Sequence, residues 1–364
     1  RWKRSNKINM DRNTLLAFFL IAFVLILTPK YLELFAPSRL EENQTESVDE
    51  IDPNKEPKII KDKAVSKKIP EDSLEALNIS KIEEKTFTIE NELYTLVLSS
   101  VNGGTLKSFS FKNYFDQDSQ SVNIINSAIS KNLFVEAHRL DGSLLNLETP
   151  WENKGYFNGG VISRETTLDF FFIISDGVFI KKSLTFFPNS YRVLCSIDAS
   201  SVPSSVLSDE ISFGWVGGLS PTESNIEDDQ VYFNAYAYLG GEQENLKVKE
   251  GKPETKTFNG YVDWAAIRTK YFVVAILPED PTSIRSVDLS GIKNTEENYQ
   301  AVFNFNTYKE SVFEVYVGPL EYSRIKILGR DLESIMDFGW AFIRPISKAI
   351  LYTLTEMHAY IPNY

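Results

Sequence analysis

The sequence contains very little cysteine and histidine, and these shortages exclude several kinds of site. Cys195 is the only cysteine among 364 residues, so no disulfide can form within the chain. Its apolar neighbours predict a buried, inert thiol. The two histidines, His138 and His358, lie far apart in the sequence. Zinc sites and acid–base catalysis need clustered ligands or bases. No cofactor or metal is therefore expected.

Positive charge is also in deficit. The formal net charge is −12. Nucleic-acid binding is excluded because neutralising phosphates requires a basic surplus. The same deficit argues against general electrostatic attraction of the main body to acidic lipids. The chain is 43% hydrophobic and 13% aromatic, and this composition favours a folded, β-rich domain.

The first residues contain the only long apolar run. Residues 1–12 are basic and form a predicted cytoplasmic amino terminus, in which Met10 is the expected start. The uncharged run from Leu15 to Leu27 is extended by apolar side chains up to Phe35. We predict a transmembrane anchor over residues 13–35. A cleaved signal peptide is the alternative, although no small-x-small cleavage site of the usual kind follows the run.

Residues 36–84 are rich in charged and polar side chains and very poor in aromatics. Such a segment buries too little apolar surface to offset the entropy of ordering. We predict a flexible charged linker, with a partner-binding segment as the alternative.

Alternating apolar and polar residues dominate residues 85–328, the predicted β domain. Tyr94, Leu96 and Leu98 share one face of a strand, and similar runs separated by glycine-rich turns follow. Tyr271 to Leu277 is continuously apolar, which predicts a strand buried on both faces. Many strands with few helical patterns between them indicate a sandwich or a barrel.

The periodicity becomes helical in residues 329–364, the predicted carboxyl-terminal helices. Leu328, Leu332, Ile335 and Met336 predict a helix over residues 328–338. After Pro345 a second, amphipathic helix is predicted to lie in a membrane interface. Its apolar stripe consists of Ile346, Ile350, Leu354, Met357 and Ile361. Packing of this stripe against the β domain is the alternative.

Two further groups of residues are weak candidates for sites. Asp228 and Asp229 follow a loop, where calcium binding is one interpretation and a solvated turn is the favoured one. Trp151, Trp215 and Trp264 are compatible with a sugar-stacking platform, but ordinary core or edge positions are favoured.

Several separated segments carry distinctive motifs. These are residues 10–16 (MDRNTLL), 90–94 (ENELY), 103–108 (GGTLKS), 112–114 (KNY), 258–272 (FNGYVDWAAIRTKYF), 316–322 (YVGPLEY) and 337–340 (DFGW). Together they resemble the YidC/Oxa family of membrane protein insertases. The segment 258–272 is the most specific of them, since it is similar to the family's W-(V/A)-A-x-R-x-K-Y-F motif.

The resemblance implies a large periplasmic β-supersandwich of the galactose-mutarotase-like type in the bacterial inner membrane. It implies that five later transmembrane helices, which would lie beyond this chain, carry the insertion groove, so no insertion residue is assigned. The implied partners are the lipid bilayer, the Sec translocon components SecF, SecD and SecY, and nascent membrane proteins.

Two other functions remain alternatives for the β domain. A mutarotase-like enzyme would need histidines and a carboxylate at one site, and His138 and His358 are poorly placed for this. A periplasmic carbohydrate-binding or chaperone-like groove is the third hypothesis. We therefore expect an interaction module and not an enzyme.

Overall fold

The computed structural model describes residues 82–223, 225–293 and 297–336, together with residues 349, 350, 353, 354 and 357. The predicted amino terminus and anchor, and nearly all of the predicted linker, lie outside these residues. None of the described helices is long and apolar enough to cross a membrane.

Strands dominate the described chain. The first ten are β1 (Thr86–Glu90), β2 (Tyr94–Ser99), β3 (Thr105–Phe115), β4 (Ser121–Asn123), β5 (Lys131–Arg139), β6 (Glu152–Asn153), β7 (Gly160–Val161), β8 (Thr166–Ser175), β9 (Val178–Phe186) and β10 (Arg192–Asp198). The others are β11 (Leu207–Val216), β12 (Asn234–Leu239), β13 (Glu242–Leu246), β14 (Glu254–Asn259), β15 (Trp264–Arg268), β16 (Phe272–Pro278), β17 (Ile284–Lys293), β18 (Glu297–Asn306) and β19 (Ser311–Pro319). Two short helices, α1 (Ile226–Gln230) and α2 (Tyr322–Ile327), and the 3-10 turns Pro281–Ser283 and Leu332–Ile335 connect or follow them.

The described strands form three sheets. The amino-terminal sheet has the order β4-β3-β2-β1-β7, in which β7 is parallel to β1. The nine-stranded sheet has the order β13-β12-β15-β16-β19-β10-β9-β8-β6. The third, β14-β17-β18-β11-β5, is called the cleft sheet because an open cleft lies on its outer face.

The two five-stranded sheets cover one face of the nine-stranded sheet side by side. Phe170 of β8 meets Phe87 of the amino-terminal sheet, with ring centroids 5.8 Å apart. Phe313 of β19 packs at 4.7 Å on Phe213 and at 5.8 Å on Phe303 of the cleft sheet. The strand registers place Phe170 and Phe313 on the same face. The result is a two-layered β-sandwich, which confirms the predicted mainly β fold.

Strand β16 is buried on both faces, as its apolar sequence predicts. All seven residues of Phe272–Pro278 are buried, whereas Tyr271, included in the predicted strand, is 45% exposed. Phe272 stacks on Phe111 of the amino-terminal sheet at 4.6 Å. On the other face, Trp264 and Arg268 of the adjacent β15 contact the chain that follows β19. Cover on both sides removes any need for alternating polar residues.

The alternating pattern of β9 contains one exception, which its sequence does not reveal. Ile180, Leu184 and Phe186 are buried on one face, but Lys182 lies on the same face and is 0% exposed. Its ammonium donates to the carbonyl oxygens of Asn102 and Gly104, each at 3.1 Å, and to that of Leu133.

These contacts make Lys182 the meeting point of the three sheets. Lys182 belongs to the nine-stranded sheet, Asn102 and Gly104 to the turn between β2 and β3, and Leu133 to β5 of the cleft sheet. Burial lowers the pKa of Lys182 to about 8. The group stays charged at neutral pH, and its three carbonyl acceptors favour that form.

Two asparagines complete this polar junction. Asn102 Nδ2 donates to the carbonyl of Val135 at 2.9 Å, and its Oδ1 accepts from the Val135 amide at 2.7 Å. Asn132 exchanges the same pair of bonds with Leu106, at 2.6 and 2.9 Å. Side-chain amides therefore replace strand-to-strand hydrogen bonds where the amino-terminal sheet and the cleft sheet adjoin.

The helix predicted over residues 328–338 is wrong in its described part. The chain reverses after α2, because Gly329, Arg330 and Asp331 have left-handed backbone with φ of 71°, 53° and 54°. Only the 3-10 turn Leu332–Ile335 follows. Leu332 and Ile335 are buried, and tertiary hydrogen bonds to this segment outweigh its helical periodicity.

Val274→Asp should unfold the domain. Val274 is 1% exposed between Ile267 and Val317 of the neighbouring strands. An unpaired buried carboxylate costs several kcal/mol, a large part of a domain's stability. Circular dichroism melting and yield of soluble protein measure the effect.

The control is Val161→Asp, which places the same charge on the edge strand β7 at a residue that is 71% exposed. It should change the Tm by no more than about 2 °C. A soluble Val274→Asp protein with an unchanged Tm would contradict the burial of β16.

Candidate functional site

Strand β15 places two motif side chains against residues 320–336, here called the connector. Trp264 and Arg268 lie four residues apart and so share a face of the strand. Trp264 Nε1 donates to the carbonyl of Arg330 at 2.8 Å, and Arg268 Nη1 donates to that of Ile335 at 2.9 Å. These two bonds fix the connector near both ends of its 3-10 turn, Leu332–Ile335.

Further contacts strengthen this attachment. Tyr238 of β12 stacks on Trp264 with centroids 5.3 Å apart and an interplanar angle of 12°. Its hydroxyl donates to Asp331 Oδ2 at 3.0 Å. Arg330 Nη1 donates to the carbonyl of Pro278 at 2.5 Å, at the end of β16. Arg330 and Asp331 both have left-handed backbone. Their side chains bond in different places, Arg330 to the end of β16 and Asp331 to Tyr238 of β12.

The motif at residues 316–322 forms the joint between β19 and the connector. The Tyr316 hydroxyl donates to the carbonyl of Pro319 at 2.8 Å, and burial raises the pKa of Tyr316 above its usual value. A Cβ on Gly318 would lie 2.8 Å from the Tyr316 side chain and 2.9 Å from that of Tyr191. Glycine is needed here because two aromatic side chains press on the backbone.

A pocket of about 620 Å³ opens beside the connector. We call it the cation pocket, because Lys247, Arg268 and Lys270 contribute to its lining while none of the described lining residues is acidic. Asn234 and Arg268 face each other across the β12–β15 pairing. The pocket therefore lies next to the site where Arg268 holds the connector.

Two of the cations of this pocket, Lys270 and Arg268, remain charged at neutral pH. Lys270 Nζ lies 3.2 Å from Glu223 Oε1 and 4.9 Å from the Tyr271 ring centroid. Hydrogen bonding to Tyr271 and Glu223 raises the pKa of Lys270 above its usual value. Arg268 lies 6.0 Å from the Tyr232 ring centroid, and a guanidinium does not deprotonate in proteins.

A second opening, the polar cleft, measures about 750 Å³ and lies on the outer face of the cleft sheet. Its charged side chains are largely occupied with one another, for example Arg285 with Asp209 at 2.7 Å. His138 is exposed at this cleft, and Phe134 is the one aromatic residue in the described lining. His358, the second histidine that a mutarotase-like site would need, lies outside the described residues.

The other candidate residues serve the core. Cys195 is fully buried, as predicted, and burial raises the pKa of its thiol to about 12. Trp151, Trp215 and Trp264 are at most 1% exposed, so they are not a sugar-stacking surface. Within the described part of the chain, no cluster of three or more His, Cys, Asp or Glu residues is suited to a metal ion.

The solvated-turn interpretation is wrong for Asp229. This residue is 0% exposed. Its Oδ2 accepts from the amide of Thr222 at 2.7 Å, and its Oδ1 accepts from the amide of Lys270 at 3.3 Å. The carboxylate fixes the loop before α1 to the end of β15. Its neighbour Asp228 is exposed. The sequence alone does not show which of these two adjacent aspartates is buried.

Three of the predicted membrane-interface residues are described. Ile350, Leu354 and Met357 are helical and are 56%, 42% and 44% exposed. Ile346 and Ile361 lie outside the described residues. The membrane-interface role of the stripe stays a prediction.

Comparison with known proteins decides the family. Residues 86–352 match the family model of the YidC periplasmic domain. The chain belongs to the YidC family. A relative from Prosthecochloris aestuarii, named membrane protein insertase YidC, is 30% identical over 98% of this chain and 62% of its own length. The insertase YidC of Chlorobium luteolum is 33% identical over 77% of this chain and 50% of its own.

The chain thus spans between half and two thirds of the length of these YidC relatives. Solved structures of lower similarity include a galactose mutarotase related enzyme from Lactobacillus acidophilus. It is 11% identical, with a TM-score of 0.40, over 64% of this chain and 97% of that one. A galactose mutarotase-like protein from Lactobacillus casei is 8% identical, with a TM-score of 0.40, over 64% and 99%.

The motifs that resemble the YidC family have a structural role here. Trp264 and Arg268 bind the connector, and Tyr316 and Gly318 shape the joint at its start. The connector is therefore the feature that the motif residues share.

Trp264→Phe should loosen the connector. The substitution removes the bond to the Arg330 carbonyl, which costs about 1–3 kcal/mol. Hydrogen exchange at the amides of Leu332 and Met336, which bond within this turn, should accelerate by about tenfold.

Trp151→Phe is the matched control, since it removes an equally buried indole bond, from Trp151 Nε1 to the Leu147 carbonyl at 3.0 Å. It should lower the Tm without selectively accelerating amide hydrogen exchange in the connector. Equal acceleration in both variants would mean that Trp264 only supports global stability.

Proposed function

We propose that this chain is the anchor and periplasmic interaction domain of a membrane protein insertase in the bacterial inner membrane. The match of residues 86–352 to the YidC periplasmic domain carries this proposal, supported by relatives that are named insertases. The amino terminus would be cytoplasmic and the β-sandwich periplasmic. Insertion itself would be performed by segments beyond this chain, and its substrates would be nascent membrane proteins.

The connector supports a role in positioning. It joins the β-sandwich to the residues of the predicted interface helix, and it is fixed to β15 by Trp264 and Arg268. A fixed connector lets the domain hold a partner at a defined place relative to the membrane. The Sec translocon components SecF, SecD and SecY are the proposed protein partners, on family resemblance.

In this proposal the domain is not an enzyme. The polar cleft is the place where a mutarotase-like or carbohydrate-binding function would be sought. Its cations are paired with neighbouring carboxylates, as Arg285 is with Asp209, and the three described core tryptophans lie elsewhere. These observations favour the interaction module.

The complete gene product that contains this chain should replace the insertase of a depleted bacterial host. The measurement is protease accessibility of a newly made single-span membrane protein. As a control for the alternative, the purified chain should not accelerate galactose mutarotation. Failure to restore insertion, or mutarotation that His138→Gln abolishes, would refute the proposal.

The predicted interface helix should bind vesicles. Residues 82–364 should float with liposomes, whereas a chain ending at residue 337 should remain unbound, because an apolar stripe partitions into the interface. Ile350→Asp should abolish flotation, and Thr355→Asp is the control, because helical spacing places residue 355 on the side of the predicted helix away from the stripe. Equal binding by the long and short chains would mean that the helix is not the membrane contact.

A further inference from the structure

We propose that the cation pocket binds the headgroup of an anionic phospholipid, through its phosphate and an adjacent hydroxyl group. The inference goes beyond the interaction role proposed above and rests on that role only for the location of the domain beside a membrane. The charge, the hydrogen-bonding capacity and the apolar border of the pocket support it.

The charge of the pocket is opposite to that of the chain. The chain has a net charge of −12, yet Lys247, Arg268 and Lys270 line one pocket without a described acidic lining residue. Glu223 contacts Lys270 from outside the lining. Cations that converge on one cavity create a local positive potential that a general negative charge does not remove at short range. A phosphate group is the anion that Arg and Lys commonly bind.

A buried amide gives the ligand its second feature. Asn234 lines the pocket and is 6% exposed, and its Oδ1 has no hydrogen-bond partner among the described residues. A buried acceptor without a donor is costly. Asn234 Oδ1 would accept from a hydroxyl close to the phosphate, as in a glycerol headgroup. Inorganic phosphate at neutral pH also carries a P–OH donor, so the border of the pocket, and not Asn234, favours a lipid.

The border of the pocket favours a lipid over a soluble phosphate. Val231 is 64% exposed and Tyr232 is 46% exposed, and Leu320 and Met336 add apolar surface from the connector. Tyrosine with aliphatic neighbours is typical of the membrane interface. The exposed Ile350 of the predicted interface helix follows Met336 by only 14 positions in the sequence.

Native mass spectrometry of the full chain tests this inference. The protein is released from non-ionic maltoside micelles that contain equal amounts of phosphatidylglycerol and phosphatidylcholine. Phosphatidylglycerol should be retained preferentially. Lys247→Glu should weaken this retention by about tenfold, because it replaces an attractive charge with a repulsive one. Lys247 is exposed, so folding should be preserved, and the Tm verifies this.

Lys249→Glu is the matched control. Lys249 is exposed two residues along the same segment and does not line the pocket, so this variant has the same net charge as Lys247→Glu. Retention of phosphatidylglycerol should be unchanged in it. Equal loss in both variants would mean general electrostatic attraction and would overturn the site.

Two other outcomes would also overturn it. Equal retention of phosphatidylcholine would exclude recognition of an anionic headgroup. Displacement of the lipid by excess inorganic phosphate would assign the pocket to free phosphate. Restoration of insertion by the Lys247→Glu gene product, combined with any of these outcomes, would reject the lipid site and leave the proposed function standing. Failure of the unaltered gene product to restore insertion would instead reject the function.

Discussion

The Lys182 ammonium at the junction of the three sheets governs how the layers fit together. Burying an ammonium is costly unless partners replace its water, and three main-chain carbonyls do so here. Two of them belong to a turn that leaves no room for larger side chains. A Cβ on Gly103 would lie 2.6 Å from the Trp151 ring, and one on Gly104 would lie 2.5 Å from Leu184. The third, at Leu133, belongs to a residue with left-handed backbone, which costs about 1–2 kcal/mol. The Lys182 ammonium of the nine-stranded sheet thus bonds to the strained Leu133 of the cleft sheet, and this bond offsets the cost of the strain.

The second constraint lies on the opposite face of the nine-stranded sheet. Strand β16 is apolar on both sides, so the face away from the five-stranded sheets must be covered. The connector supplies part of that cover through Leu332 and Ile335, held in place by Trp264 and Arg268. The residues that resemble the YidC family therefore serve both the stability of the sandwich and the route of the chain that leaves it. For a domain proposed to position partners at a membrane, these two requirements coincide.

The sequence predicts the fold well where one physical effect dominates. Alternation in β2 and β18 and the continuous apolar run of β16 report burial directly. It fails where tertiary contacts outweigh local pattern. The helical spacing after Leu328 gives way to three left-handed residues, because side chains far away in the sequence bind the carbonyls of Arg330 and Ile335. Lys182 and Asp229 resemble surface residues until their carbonyl and amide partners are known. Lys247 and Arg268 line the same pocket because β12 pairs with both β13 and β15, and a linear pattern does not reveal this.

The spacing of the connector bonds also has a mechanical consequence. Tension applied beyond Met336 would reach the Arg268–Ile335 bond first and the Trp264–Arg330 bond next, so the connector would peel away stepwise. The ladder between β16 and β19 would stay intact, since its many bonds share a force along the strands. Each released residue would add at most about 3.5 Å of contour. The connector would therefore keep the domain in a fixed position up to the load that breaks these two bonds, and it would lengthen only beyond that load.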